Sequence, residues 1–378
     1  MKKTISIILS LLMMLSVLSV SGISALAANE KTDSYEYKVR DDGTVAIMKY
    51  IGSDYDVVIP EEIDGKKVTK INNNAFVEPY WPYLGVSGVS SIRTITIPKT
   101  VDLIGTYNFY NLPFLNNIFV DEENEKYTSE KGVLYTKDMK TLKCYPTARL
   151  DNYYEINSKT ETIYYVAFYG SKYLTSVKIP KNVKSIMPGA FTNCASIEDF
   201  YVPSTVKKIG NNAIGVKTVY YTGWYDPRDT ASKSDDWDAS EQYEMDYAPT
   251  ANVTVYGKKG SAAEKYIKSL KKRFNEAKKF PKFKTLSTKK PTLKTKVKGG
   301  KLTVTASGYE KLSEYEICVI KGKKKIKSYY AVMSQTDKFK TTLKLDKGTY
   351  KIKVRARIWV GGYSFKTPYS KTVTVKIK

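Results

Sequence analysis

Histidine does not occur once in the 378 residues. Its absence removes the commonest general base, the usual serine and cysteine triads and the usual zinc ligands. An enzyme is therefore not expected, nor is a metal site or a cofactor. Cysteine is almost as scarce. Cys144, Cys194 and Cys318 are odd in number and far apart, which excludes a disulfide framework for an exported chain and leaves buried thiols. A lipid-modified bacterial N-terminus would need a cysteine at its cleavage site, and the first cysteine is Cys144. Long apolar runs are missing everywhere except the first 27 residues, where Lys2 and Lys3 precede a serine-broken apolar stretch from Ile5 to Val20. The "SALA" that follows offers an A-x-A site at Ala25 and Ala27. This pattern predicts a cleaved export signal over 1–27 and no integral membrane span after cleavage. The closing "VTVKIK" shows neither a sortase-type motif nor an apolar tail.

Negative charge is short in one region only. The chain carries a formal net charge of +24, with 62 Lys/Arg against 38 Asp/Glu, and from residue 251 onward 35 of those bases face only 7 of those acids. The C-terminal third holds all of the excess. With 42% hydrophobic residues the chain has enough apolar material for a folded core, and its length suits two domains or three.

What is present is a repeat. "VKSIMPGAF" at 183–191 returns as "VKKIGNNAI" at 206–214, a step of 23 residues. Pro180 and Pro203 keep the same phase, and one step back Ala167 and Phe168 fall where Ala190 and Phe191 do. Ile97-Pro98 and Val120-Asp121 are again 23 apart, with insertions between these blocks. In each coil "V-x-I-P" reads as a short strand with Val177 and Ile179 on one face and Lys178 on the other, stopped by a proline that cannot donate to a ladder. Val183, Ile186, Ala190, Phe191 and Cys194 complete an apolar lining. A single coil buries too little to offset the entropy of ordering its backbone, so the coils must stack.

The phrase "IP…V..I...AF..C" resembles the BspA-like leucine-rich repeats of bacterial surface proteins. "YKVRDDGTVAIMKYIGSDYDVVIPEEIDGKKVTKI" is similar to that family's N-terminal portion and "VTVYGKKGSAAEKYI" to its closing cap. Two coils depart from the pattern, with Asn108 where alanine stands before Phe109 and with Ile214 in place of the aromatic, and both are expected to be looser. Ser261 and Glu264 form an S-x-x-E capping box for a helix expected to run to about Lys279. "TLSTKKPTLKTKVKGG" reads as a lysine-rich linker.

After that linker the period changes to two. In "TYKIKVRARI" Tyr350, Ile352, Val354 and Ala356 face one way while Lys351, Lys353, Arg355 and Arg357 face the other, making every outward position cationic. "LDKGTYKIKVRA" resembles the signature of fibronectin type III domains, which implies Tyr350 as the corner tyrosine, although the early-strand tryptophan is absent. The expected fold is mainly β: a leucine-rich-repeat solenoid of parallel short strands at 28–285, a linker at 286–300, and an all-β immunoglobulin- or fibronectin-III-like sandwich at 301–378, after the signal at 1–27.

Two surfaces are candidates for binding. The outward strand positions Thr96, Phe119, Glu155, Lys178, Tyr201 and Tyr220 should form a ladder with about 4.8 Å between neighbouring coils. Phe119, Tyr201 and Tyr220, with Lys178, suit a protein or glycan ligand; insertion loops covering them are the alternative. Lys351, Lys353, Arg355 and Arg357 suit an anionic cell-wall polymer, while a solvated lysine face is the plainer explanation of such runs. Nucleic acid is not expected as a partner of an exported chain. The acidic stretch "KSDDWDASEQYEMD" at 233–246 lacks the glycine and spacing of a calcium loop and reads as a solvated loop. The family resemblance implies a secreted or cell-surface adhesion protein. A surface spacer or assembly protein without a specific ligand is the other reading.

Overall fold

The computed structural model describes residues 30–76, 91–110, 112–219, 246–286, 289–309, 313–332 and 338–378. The segment predicted as an export signal, Tyr220 and the acidic stretch up to residue 245 lie outside the described residues. Among the described residues no helix is long and apolar enough to cross a membrane.

The solenoid starts with an antiparallel pair, Tyr35–Val39 and Val45–Tyr50, whose second strand turns parallel onto Lys66–Ile71. This pair covers the first coil and buries Tyr37, Val45 and Ile47 against it. From there the coils present two faces. On the front, Asp56–Val58, Thr94–Ile97 and Asn117–Val120 pair in parallel, as do Tyr153–Glu155 with Ser176–Lys178, and Asp199–Tyr201 with Thr254–Tyr256 and then Lys282–Lys284. On the rear, the two-residue strands Thr162–Ile163, Ser185–Ile186 and Lys208–Ile209 continue in parallel from Thr141–Cys144. The "V..I" half of the repeat therefore makes a second ladder.

Between the faces the lining is dry, as the repeat predicts: Val177, Ile179, Val183, Ile186 and Ala190 are fully buried. The ring after that alanine does the stacking. Phe168 and Phe191 lie face to face with centroids 4.7 Å apart, and Tyr145 extends the column at 5.0 Å from Phe168. Offset stacking of this kind adds to area burial.

The two departures from the pattern tighten the stack. The buried Asn108 accepts from the Ala75 N–H at 2.8 Å through its Oδ1 and donates through Nδ2 to the Gly105 carbonyl at 2.9 Å, tying two coils together. Ile214 is fully buried, and its N–H and carbonyl both bond the Tyr266 hydroxyl, at 2.9 and 2.8 Å. Asparagine replaces an apolar side chain here because its amide can satisfy the backbone of the neighbouring coil.

Tyr266 belongs to the capping helix Ala262–Arg273, which buries Ala263, Tyr266, Ile267 and Leu270 on one stripe. Neither bond of the expected capping box forms. Glu264 accepts from the Gly260 N–H at 2.6 Å, while the Ser261 hydroxyl makes no cap bond. The helix also stops at Arg273 rather than near Lys279. Its chain must return in time for Lys282–Lys284 to add the last parallel strand of the front face.

The C-terminal unit consists of two antiparallel sheets. One is Thr292–Lys298, Lys301–Ser307 and Lys338–Lys344; the other contains Lys324–Val332, Ser313–Lys321, Gly348–Val360, Tyr363–Lys366 and Val373–Ile377. Their inner faces share a core of Leu302, Val304, Tyr315, Ile317, Ile352 and Val354. Tyr350, Ile352, Val354 and Ala356 point inward as the alternation predicts. Thr292–Lys298 falls within the stretch read as a linker. Its lysines alternate with Leu293 and Val297, and the strand pairs along its full length with Lys301–Ser307.

Candidate functional site

The front face is built by the "x-V-x-I-P" strands, because period two puts every second side chain outside whenever its neighbours are buried. It is broken into segments. The Ile118 N–H donates to the Gly132 carbonyl at 2.9 Å, at the turn of an antiparallel insertion hairpin, Tyr127–Glu130 with Val133–Thr136. Asn157 reaches the Glu130 carboxylate from the other side at 3.1 Å. The inserted hairpin fills the step between Asn117–Val120 and Tyr153–Glu155, so Phe119 and Glu155 are not ladder neighbours.

In the first segment Val58, Thr96 and Phe119 occupy one rung of the register. Val58 is 67% and Phe119 47% exposed. Tyr55, also exposed, lies beside them with the Arg93 guanidinium 4.7 Å from its ring. Phe119 thus has the exposure the sequence predicts.

The second segment differs. Lys178 and Glu155 share a rung and form an ion pair at 2.5 Å. Tyr201 has Tyr256 as its register partner and Lys284 beyond it. The expected neighbour, Tyr220, follows a strand, Val216–Val219, that belongs to another sheet and runs antiparallel to Asp246–Pro249. Over this segment sits the turn joining Gly348–Val360 to Tyr363–Lys366 of the C-terminal unit. Tyr363 donates its hydroxyl to the Ile179 carbonyl at 2.5 Å, and the Tyr363 and Phe365 rings pack on Tyr201 with centroids at 4.9 and 4.7 Å. The Lys178 ammonium lies 5.6 Å from the Tyr363 ring. Burial at this contact, reinforced by Tyr201 and Glu155, pushes the Tyr363 phenol up to about 12. Tyr201 is therefore covered by a hairpin distant in sequence.

The cationic stripe is also modified. Arg355 donates to the Glu316 carboxylate through Nε at 2.7 Å and Nη2 at 2.6 Å, and Arg357 lies 3.5 Å from Glu314. Lys353 and Arg355 both stack on Tyr369, at 4.2 and 4.6 Å. Glu316 is buried, and burial alone would raise its carboxyl, but Arg355 and the Tyr369 hydroxyl outweigh that and hold it below the usual range. Of the four predicted cations only Lys351 is exposed, the other three being half-buried. The hairpin of Ser313–Lys321 with Lys324–Val332 exposes Lys323, Lys324 and Lys327 as well.

Neither solenoid cysteine is reactive. Cys144 and Cys194 are buried and unpaired, and burial pushes both thiols up to about 12, far from thiolate at neutral pH. Among the described residues no group of acidic or sulfur ligands could hold a metal ion.

Residues 59–146 and 143–218 match the family described as BspA type leucine rich repeat region, in six copies. Residues 59–218 are similar to a BspA-type leucine-rich-repeat region. No curated protein matches the chain. Among solved structures it is similar to a leucine-rich repeat protein from Eubacterium ventriosum, 19% identical over 48% of this chain and 67% of that one, with a TM-score of 0.34. A leucine rich cell surface protein from Faecalibacterium prausnitzii is 16% identical over 62% and 71%, TM-score 0.34. The pneumococcal vaccine antigen PcpA is 18% identical over 60% and 61%, TM-score 0.33.

The BspA-type repeat explains why sequence reasoning found Phe119 and missed Val58 and Tyr55. Phe119 stands in a coil whose phase is readable, whereas Val58 is the second residue of "VVIP", where two valines compete for the inward position.

Proposed function

We propose that this is an exported bacterial surface protein whose BspA-type repeats bind a protein ligand through the open segment of the strand face, without catalysis. The observation that carries this reading is the Val58–Thr96–Phe119 rung, where Val58 and Phe119 stand exposed on a parallel sheet. Exposed aromatics on a preordered surface bind at little entropic cost. The export signal at 1–27 and the repeat family support a place at the cell surface. Replacing Val58 and Phe119 together by serine is expected to lower capture of the bound partner at least about tenfold in a pull-down against host matrix proteins and wall polysaccharides, without changing the fold. Unchanged capture of every partner would leave the spacer role.

The C-terminal unit supports the fibronectin-III-like reading through its corner: the Tyr350 hydroxyl donates to the Asp346 carbonyl four residues upstream at 2.8 Å, on two antiparallel sheets. Its exposed lysines, Lys323, Lys324, Lys327 and Lys351, are the better candidates for contact with an anionic envelope polymer, since Arg355 and Arg357 already face carboxylates. Attachment of this kind is screened by salt. Cells washed at moderate ionic strength are expected to release the protein, and exchanging these four lysines for glutamine should release it at lower salt. Retention in high salt argues against the electrostatic tether.

A further inference from the structure

The hairpin that covers Tyr201 has a turn whose composition its own fold does not explain. Val360 pairs with Tyr363, leaving the two-residue loop Gly361-Gly362 with φ of +50° and +71°. Both positions are left-handed, the geometry of a type I′ turn, for which asparagine followed by glycine is the strongest sequence. Gly361 could accordingly be asparagine as far as the turn is concerned. What forbids it is the solenoid. A Cβ on Gly361 would run into the backbone nitrogen of Tyr201 and come within 3.1 Å of that residue's Cβ, and one on Gly362 would stand 2.7 Å from both the Lys178 Cβ and the Tyr153 ring. The backbone of one unit thus lies directly on the strand of the other, with Tyr363 and Phe365 clasping Tyr201.

We propose that the surface formed by Tyr153, Lys178 and Tyr201 is a docking site for a glycine-glycine β-turn flanked by aromatic residues, that the chain's own C-terminal hairpin fills it in cis, and that this withholds the covered half of the strand face from outside ligands. The inference extends the ligand reading of the open segment and rests on it only for the consequence of being covered. The occupant follows from shape: glycine without a side chain at the closest approach, rings on either side of Tyr201, and a phenol donating to the carbonyl of Ile179, which the strand leaves open. The contact is a single turn on a few strands, and contacts of that size between units of one chain open and close.

The full-length Gly361→Asn variant tests it, because asparagine preserves the turn and adds only the clashing side chain. The wild-type protein is expected to scatter X-rays as one compact particle at all concentrations. The variant, with unchanged circular dichroism, should show a longer maximum dimension. Its vacated site should then bind the synthetic peptide RIWVGGYSFK, residues 357–366 closed as a cyclic hairpin, at least about tenfold more tightly than the wild-type chain does. Adding Tyr201→Ala should remove that binding. Equal scattering of the two proteins, or equal peptide affinity, overturns the docking site. Compactness that appears only at high protein concentration overturns the cis arrangement and places the hairpin on a second copy. Neither readout involves the open segment, so a docked hairpin in a protein whose capture ignores Val58 and Phe119 sustains the site and removes only the ligand reading.

Discussion

Truncating Phe191 to alanine is expected to destabilise the solenoid by about 3–5 kcal/mol, the range for deleting a buried aromatic ring from a packed core. The ring is 1% exposed, stacks on Phe168 at 4.7 Å and meets Phe200 edge-on at 5.1 Å, so its loss opens a cavity shared by neighbouring coils. The backbone cannot collapse to fill it. Phe191 donates its N–H to the Ala213 carbonyl at 2.8 Å and Phe168 donates to the Ala190 carbonyl at 2.8 Å, which fixes the coil spacing on that side. A lower urea midpoint with an unchanged slope in the full-length protein checks this. Phe119→Ala on the exposed front face, by contrast, should fall within about 0.5 kcal/mol of wild type. A similar cost at both positions would mean that the stack does not close around the phenylalanine column.

The second large effect belongs to the C-terminal unit. Arg355→Met is expected to cost about 3 kcal/mol, the low end for breaking a buried pair, because it leaves the Glu316 carboxylate buried at 2% exposure while Arg355 itself keeps 23% of its side chain in solvent. The Tyr369 and Ser328 hydroxyls and Lys325 still reach Glu316, at 3.1, 3.4 and 3.5 Å, which limits the loss. The pair also sets an acid limit. Since the folded carboxyl titrates below its ordinary value near 4.5, its contribution is complete above that value and disappears as the pH falls through the lowered one. Melting temperature followed from pH 6 down to pH 3 should drop less steeply in Arg355→Met than in the wild type. Equal acid slopes would show that Arg355 does not hold the carboxylate down.

The same residue shows why the cationic stripe was only half legible. Alternation along Gly348–Val360 correctly separates Ile352, Val354 and Ala356 from Lys351, Lys353, Arg355 and Arg357. It cannot show that Ser313–Lys321 brings Glu314 and Glu316 opposite Arg357 and Arg355, as the pairing register does. Tyr201 repeats the lesson. Its place on the outer rung could be read from a step of 23 residues, but its covering could not, since Tyr363 is 162 positions further along the sequence.

Local, periodic sequence by itself determined the coil, its inward set from Val177 to Phe191, and the need to stack, because a strand that stops at proline and turns every 23 residues has one economical way to bury its apolar half. Tertiary structure alone decided the segmented front face, the bonds of Asn108 and Tyr266, the neutralised arginines, and the hairpin seated on Tyr201. Each of those joins residues from different turns or different units, and the energy of such a contact depends on distance in space, about which the spacing along the chain carries no information.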